Sequence, residues 1–255
     1  FSGRVQGAKP NEIQLDYESP SEDYEINSFS QGLHIDYSNG HSVKRFFGVE
    51  KDIKPVKDFE TFTPNNTPLL PPQNTWINIK DLGAKGDGVT DDTDVFKKAI
   101  EKYDAIFIPM GKYLISSTLK LKENTKLIGF HPYMTQIFLK DGTPEFLNFD
   151  DSKALIETPH NGVNGIIGLG FDLGINPGAV GIKWMAGSNS YIDDINFRNL
   201  GEKSVRGEGQ AGSLWISNGG TGTFKNIWIV DSRAQLSFYV SNTEEPGKIY
   251  YMSVE

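Results

Sequence analysis

Cysteine is absent from this sequence. Its absence excludes disulfides, thiolate metal sites and a cysteine nucleophile. It leaves the compartment open, because secreted bacterial proteins often lack the residue. No apolar run approaches the roughly 18 residues of a membrane-spanning helix. Positive charge is also in deficit. Twenty-five Lys and Arg against 33 Asp and Glu give a formal charge of -8, the wrong sign for a general nucleic-acid binder, although a local groove can still take a polyanion. The four histidines, His34, His41, His131 and His160, lack metal-ligand spacing. Gly-x-Ser-x-Gly does not occur, and no glycine-rich loop has phosphate-binding spacing. No metal and no cofactor is therefore expected. The chain opens on Phe1 rather than Met, so a processed or trimmed start is expected.

What is present suffices for one large or two small domains: 255 residues, 37% hydrophobic and 23% charged, in the range of soluble globular proteins. The most informative stretch is 77–100, INIKDLGAKGDGVTDDTDVFKKAI. It runs from a short alternating segment through a turn with glycines at 83, 86 and 88 into an amphipathic helix. Val95, Phe96, Ala99, Ile100 and Tyr103 share one helical face. Thr90 or Asp91 is expected to cap its start, and Asp91, Asp92 and Asp94 suit the positive end of its dipole. The same aspartates with Asp87 lack calcium-loop spacing, so capping is preferred over metal binding.

This stretch, followed by IFIPMGKYLISSTLKLKENTKLIGF, resembles the opening module of the pectate-lyase superfamily of right-handed parallel β-helices. Phage tailspikes and many secreted glycoside hydrolases are similar to it as well. The resemblance covers roughly 76–136. It implies that the helix covers the open end of a solenoid whose first coil is the Pro-x-Gly-x-Tyr segment. It implies a fold more than a chemistry.

Three regions are expected. Residues 1–54 read as a small β region, in which Ile13, Leu15 and Tyr17 alternate. There Asn39-Gly40 joins the runs Leu33, Ile35, Tyr37 and Val43, Arg45, Phe47 as a hairpin. Residues 55–75, with prolines at 55, 64, 68, 71 and 72, read as a semi-rigid connector. Residues 76–255 read as the solenoid. There the pattern apolar-x-x-apolar-x-apolar recurs at Ile166-Leu169-Phe171, Ile192-Ile195-Phe197, Phe224-Ile227-Ile229 and Ile249-Met252-Val254. The steps are 192 − 166 = 26, 224 − 192 = 32 and 249 − 224 = 25 residues. A second strand keeps similar steps: Ala154 and Ile156, then Val180, Ile182 and Trp184, then Leu214 and Ile216, then Phe238 and Val240. Units with two short strands and Gly-, Asn- and Ser-rich turns stack into an all-β parallel β-helix. The pattern stops within a coil at Glu255, so a continuing chain or a second β-helix is expected to cover that end.

Strand alternation predicts two outward columns. One holds Gly170, Asn196, Trp228 and Ser253, followed by Asp172, Arg198, Val230 and Glu255. The other holds Lys183, Trp215 and Tyr239. Aromatics with carboxylates and a guanidinium on an elongated face suit sugars, so Asp172, Asn196, Arg198, Trp228, Trp215 and Tyr239 are candidate substrate contacts. The bland alternative is a solvated face. Glycoside hydrolysis needs two carboxyl groups, and Glu255, Asp194 and Asp231 are the catalytic candidates. Adjacent Asp193 and Asp194, if extended, point to opposite sides.

The segments GINPGAVGIKW, SLWISNGGTGTFKNIW and FYVSNTEEPGKIYYMSVE are more loosely similar to bacterial proteins related to glycoside hydrolase family 55. That resemblance implies β-1,3-glucan substrates and a catalytic glutamate on a second β-helix, so no catalytic residue transfers to this chain. The leading expectation is the N-terminal part of a secreted, periplasmic or cell-surface glycoside hydrolase acting on a β-1,3-glucan-like or pectin-like polysaccharide. A polysaccharide lyase on uronate polymers and a non-catalytic tailspike-like or glycan-binding module are the alternatives. Neither nucleic acid nor a membrane span enters any of these readings.

Overall fold

The computed structural model describes residues 24–36, 44–55, 70–198, 209–230, 234–241 and 247–254. The chain divides into two units, Phe1–Asn66 and Thr67–Glu255. In the first, the strand Tyr24–Asp36 pairs antiparallel with Lys44–Pro55, with Ile35 opposite Arg45. The Asn39-Gly40 turn, the run 13–17 and residues 56–69 lie outside the described residues.

The second unit is a right-handed parallel β-helix. Its longer sheet stacks, rung on rung, Lys248–Val254, Thr223–Val230, Tyr191–Arg198 and Gly165–Asp172. Beyond Gly165–Asp172 the sheet forks. One branch continues through Lys126–Gly129, Ala105–Ile108 and Ile77–Asn78, and the other through Thr135–Phe138, Gly111–Leu114 and Asp87–Asp91. A five-stranded sheet runs alongside: Leu119–Lys120, Lys153–Glu157, Asn176–Trp184, Gln210–Ile216 and Ala234–Val240.

The repeat follows from side-chain stacking. Ile106, Leu127, Ile166, Ile192 and Phe224 occupy one inward column and are buried. Leu169, Ile195 and Ile227 form the next, and Tyr113, Ile137, Phe171, Phe197 and Ile229 a third. Phe171 and Phe197 stack with centroids 5.1 Å apart. The two-residue gap inside the pattern has a backbone cause. Gly168, Asp194, Asn226 and Tyr251 have φ of 64°, 50°, 50° and 61°, so each strand turns a corner through the left-handed region. Ile192 and Ile195 both face inward, and Asp193 and Asp194 both stay on the outer side. The extended geometry that would point them apart does not occur.

The helix Thr93–Lys102 buries Phe96, Ala99 and Ile100 in the same core, and Phe96 meets Tyr113 edge-on at 5.6 Å. The acidic turn before it serves the backbone. Asp92, only 1% exposed, accepts from the amides of Lys85 (2.7 Å) and Gly86 (2.9 Å), and its side chain makes no capping bond to the helix. Asp91 accepts from the Thr93 amide at 2.9 Å and from the Ser116 hydroxyl. Thr90 gives its hydroxyl to Asp87 at 2.8 Å instead of capping the helix. Gly86 is obligatory twice, by φ of 58° and because a Cβ there would sit 2.7 Å from the Tyr113 ring.

Asp92→Asn leaves one of two part-buried amides without an acceptor and is expected to cost about 1 kcal/mol, read by urea denaturation. Burial alone would raise the Asp91 carboxyl, but hydrogen bonds from Ser116 and Thr93 with the charge of Lys97 hold it below its usual range. The amides of Thr90 and Val89 and the Thr90 hydroxyl pull Asp87 down to about 2. Both groups stabilise the fold above their ordinary pKa, and that contribution is lost as pH falls towards the folded values. Asp91→Asn is therefore expected to flatten the fall in stability on acidification below about pH 4.

Candidate functional site

The forked sheet makes the site. Leu127 and Ile137 occupy the columns of Ile166 and Phe171, yet 137 − 127 = 10 residues separate the first pair and 171 − 166 = 5 the second. The five extra residues, Phe130, His131, Pro132, Tyr133 and Met134, leave the corner as a loop over the outer face. The His131 carbonyl closes it by accepting from the amides of Met134 (2.9 Å) and Thr135 (2.8 Å). Pro132 is buried against the sheet, where a Cβ on Gly170 would lie 2.0 Å from its carbonyl oxygen. Only glycine at 170 lets the loop sit down. Phe130, Tyr133 and Met134 remain 60%, 41% and 47% exposed.

Gly170, Asn196 and Trp228 are successive rungs of one outward column. The Tyr133 ring reaches Trp228 edge-on at 6.1 Å, and the Arg198 guanidinium sits 5.7 Å from the Tyr133 ring centre. From Pro132 over the Gly170 rung to Trp228 two rungs on, the loop crosses the rung between. That rung is Asn196, which strand alternation placed on an open stripe. It is 2% exposed instead, and neither its Nδ2 nor its Oδ1 meets a hydrogen-bonding partner in the protein. Each such buried group costs roughly 1–3 kcal/mol.

On its other side the loop borders an open groove of about 540 Å³. Phe107, Ile128 and Ile167 floor it, Trp76 and Phe130 stand beside it, and Asp194 is among its lining residues. Partial desolvation raises the Asp194 carboxyl above its ordinary range; nearby His131 opposes this and Asp193 adds to it. Asp193 is occupied otherwise, 3.7 Å from Lys225 Nζ and accepting from Asn226 Nδ2 at 2.9 Å.

The sequence profile of the family described as "Rhamnogalacturonase A/epimerase, pectate lyase-like" matches residues 76–245, two thirds of the chain. The chain belongs to this pectate lyase-like family. It is 36% identical over 121 residues to the non-secreted LysM effector LysM19 of Penicillium expansum, covering 41% of this chain and 9% of that protein. It is 36% identical over 74 residues to a glucan 1,3-beta-glucosidase of Cochliobolus carbonum, covering 23% of this chain and 9% of that protein. The chain thus spans about a tenth of the length of these curated relatives. Among solved structures, the A-module of the mannuronan C-5 epimerase AlgE4 of Azotobacter vinelandii superposes with a TM-score of 0.45 at 20% identity, covering 70% of this chain and 53% of that one.

Within this pectate lyase-like coil stack the other sequence candidates fall in different places. Asp172 accepts from the Gly174 amide at 3.0 Å and shapes a turn. Lys183, Trp215 and Tyr239 stand in register on the five-stranded sheet, a face separate from the loop. There Trp215 lies against Ala154, Val180 and Ala211 and donates Nε1 to the Leu236 carbonyl at 3.1 Å. Tyr239 meets it edge-on at 5.8 Å. Asp231 and Glu255 lie outside the described residues. The loop residues His131 and Tyr133 and the groove residues Trp76 and Phe107 were not singled out from sequence. The doubled spacing between Leu127 and Ile137 was the available signal.

Because its folded pKa is raised, Asp194 withdraws stability as pH rises from its unfolded value through its folded one. Asp194→Asn keeps a side chain that tolerates the left-handed corner. The variant is expected to gain stability relative to the parent on going from about pH 3 to about pH 7, measured as the difference in urea midpoints.

Proposed function

We infer that this chain supplies glycan contacts, and a share of the catalytic groups, in a secreted glycoside hydrolase acting on a β-1,3-glucan-like or pectin-like polysaccharide. The observation that carries the reading is the convergence of Tyr133, Trp228 and Arg198 on one side of the 130–134 loop with Asp194 on the other. Aromatic faces take the apolar side of a pyranose, and a guanidinium and a carboxyl group bind its hydroxyl or carboxylate groups. A carboxyl raised by desolvation suits a general acid. Membership of a pectate lyase-like family and the glucan 1,3-beta-glucosidase likeness support a polysaccharide substrate.

Hydrolysis requires a second carboxyl group roughly 5–9.5 Å from the acid. Adjacent Asp193 is held by Lys225 and Asn226, which favours a binding role for this face with catalysis shared by other groups. Arg198 beside the aromatic pair keeps uronate polymers, and so lyase chemistry, as the second reading.

The test is incubation with laminarin and with polygalacturonate. New reducing ends without an ultraviolet-absorbing unsaturated product support hydrolysis, and an unsaturated product supports the lyase. Trp228→Ala is expected to weaken binding of the accepted polymer by up to roughly tenfold, the value of an aromatic contact of about 0.5–1.5 kcal/mol. Unchanged affinity in that variant removes this face from the reading.

A further inference from the structure

We propose that Asn196 is a sugar-hydroxyl-binding residue covered in the ligand-free protein by a lid, the 130–134 loop, which lifts to admit the glycan. The inference rests on the reading of this face as glycan-binding and adds a residue and a motion to it.

Asn196 stands where a polar side chain is a liability. On the rung before it the column holds Gly170 and on the rung after it Trp228. The loop runs from Pro132 at the Gly170 rung to Tyr133 beside Trp228, and Asn196 on the rung between is 2% exposed with both amide atoms unmet by the protein. A leucine of similar size would fill the space without that penalty. The cover has the properties of a lid. It belongs to no sheet, it meets the Trp228 side through an edge-on ring pair and a guanidinium–ring contact, and Phe130, His131, Tyr133 and Met134 are exposed, while Pro132 packs at Gly170 and the Met134 carbonyl accepts from the Gly111 amide at 2.9 Å as its fixed ends. Raising Tyr133 removes the roof and presents an amide with two donors and one acceptor between Trp228 and Gly170. That is the complement of a pyranose vicinal diol whose apolar face lies on the indole. Sugar hydroxyls then satisfy the amide that the closed state leaves unmet, so ligand and lid compete for one surface.

The experiment measures binding of laminarin and polygalacturonate to the full chain and to Asn196→Leu and Trp228→Ala, with thermal melting of each. The expected result is that Asn196→Leu melts at or above the parent temperature while its affinity for the bound polymer falls by about tenfold. Binding is also expected to change the tryptophan emission of the parent as Tyr133 leaves Trp228. Loss of affinity in Trp228→Ala with parental affinity in Asn196→Leu overturns this inference alone and makes Asn196 structural. A large fall in melting temperature of Asn196→Leu with parental affinity overturns it likewise. Failure of the parent to bind either polymer overturns the reading of the face and this inference together.

Discussion

The four unforked rungs of the longer sheet depend on one backbone constraint, a residue in the left-handed region at the same corner of each. At Gly168 it is free of strain, while Asp194, Asn226 and Tyr251 carry the modest cost of φ near 50–60°. The stacking of Ile166, Ile192 and Phe224 on one side of the corner and of Leu169, Ile195 and Ile227 on the other holds them there. Each large apolar side chain in those columns contributes about 1.5–3 kcal/mol of burial, more than the corner costs. The constraint also sets the outer surface, because two consecutive residues stay outside at each corner. That is how Asp193 becomes available to Lys225 while Asp194 lines the groove.

A regular stack of this kind has repetitive sides, each rung presenting the same kind of surface as the next. The five residues inserted between Gly129 and Thr135 break the repetition. They fork the sheet, wall the groove above Phe107, Ile128 and Ile167, and carry Tyr133 across to Trp228 and Arg198. The insertion is tolerated because its neighbours are small where it lands, with glycine at 129, 168 and 170. A Cβ at 129 would sit 2.1 Å from the Gly168 carbonyl oxygen.

The face of the five-stranded sheet makes a useful contrast. Trp215 and Tyr239 are aromatic and in register with Lys183, as at a sugar platform. Yet Trp215 is folded down on small side chains, with its only donor given to a backbone carbonyl, and Gly212 is glycine because a Cβ would lie 1.9 Å from that Nε1. Its polar capacity is spent inside the fold. At Asn196 the polar capacity is unspent, and this difference separates the two faces more sharply than composition does.

The solenoid was legible from the chain alone. Its determinants are local and periodic: apolar residues at fixed offsets, Gly-, Asn- and Ser-rich turns between the strands, and the strand-turn-helix module at 77–102. Residue columns such as Ile166, Ile192 and Phe224 follow directly from that period. The acidic turn was legible as structural, although its hydrogen bonds go to Lys85 and Gly86 as well as to the helix start. The site was legible only in part. Alternation placed Arg198 and Trp228 on the outside, but whether an outward residue is open depends on what crosses over it from a distant segment. Asn196 is 2% exposed on a rung crossed by a loop about sixty residues earlier in the chain. Asp194 stands outside because one dihedral angle departs from the extended value that alternation assumes. Which residues stack, and in what order, follows from the local period of the chain. Which outward residues meet is settled in three dimensions, because that contact is between rungs and an insertion, and no local period encodes it.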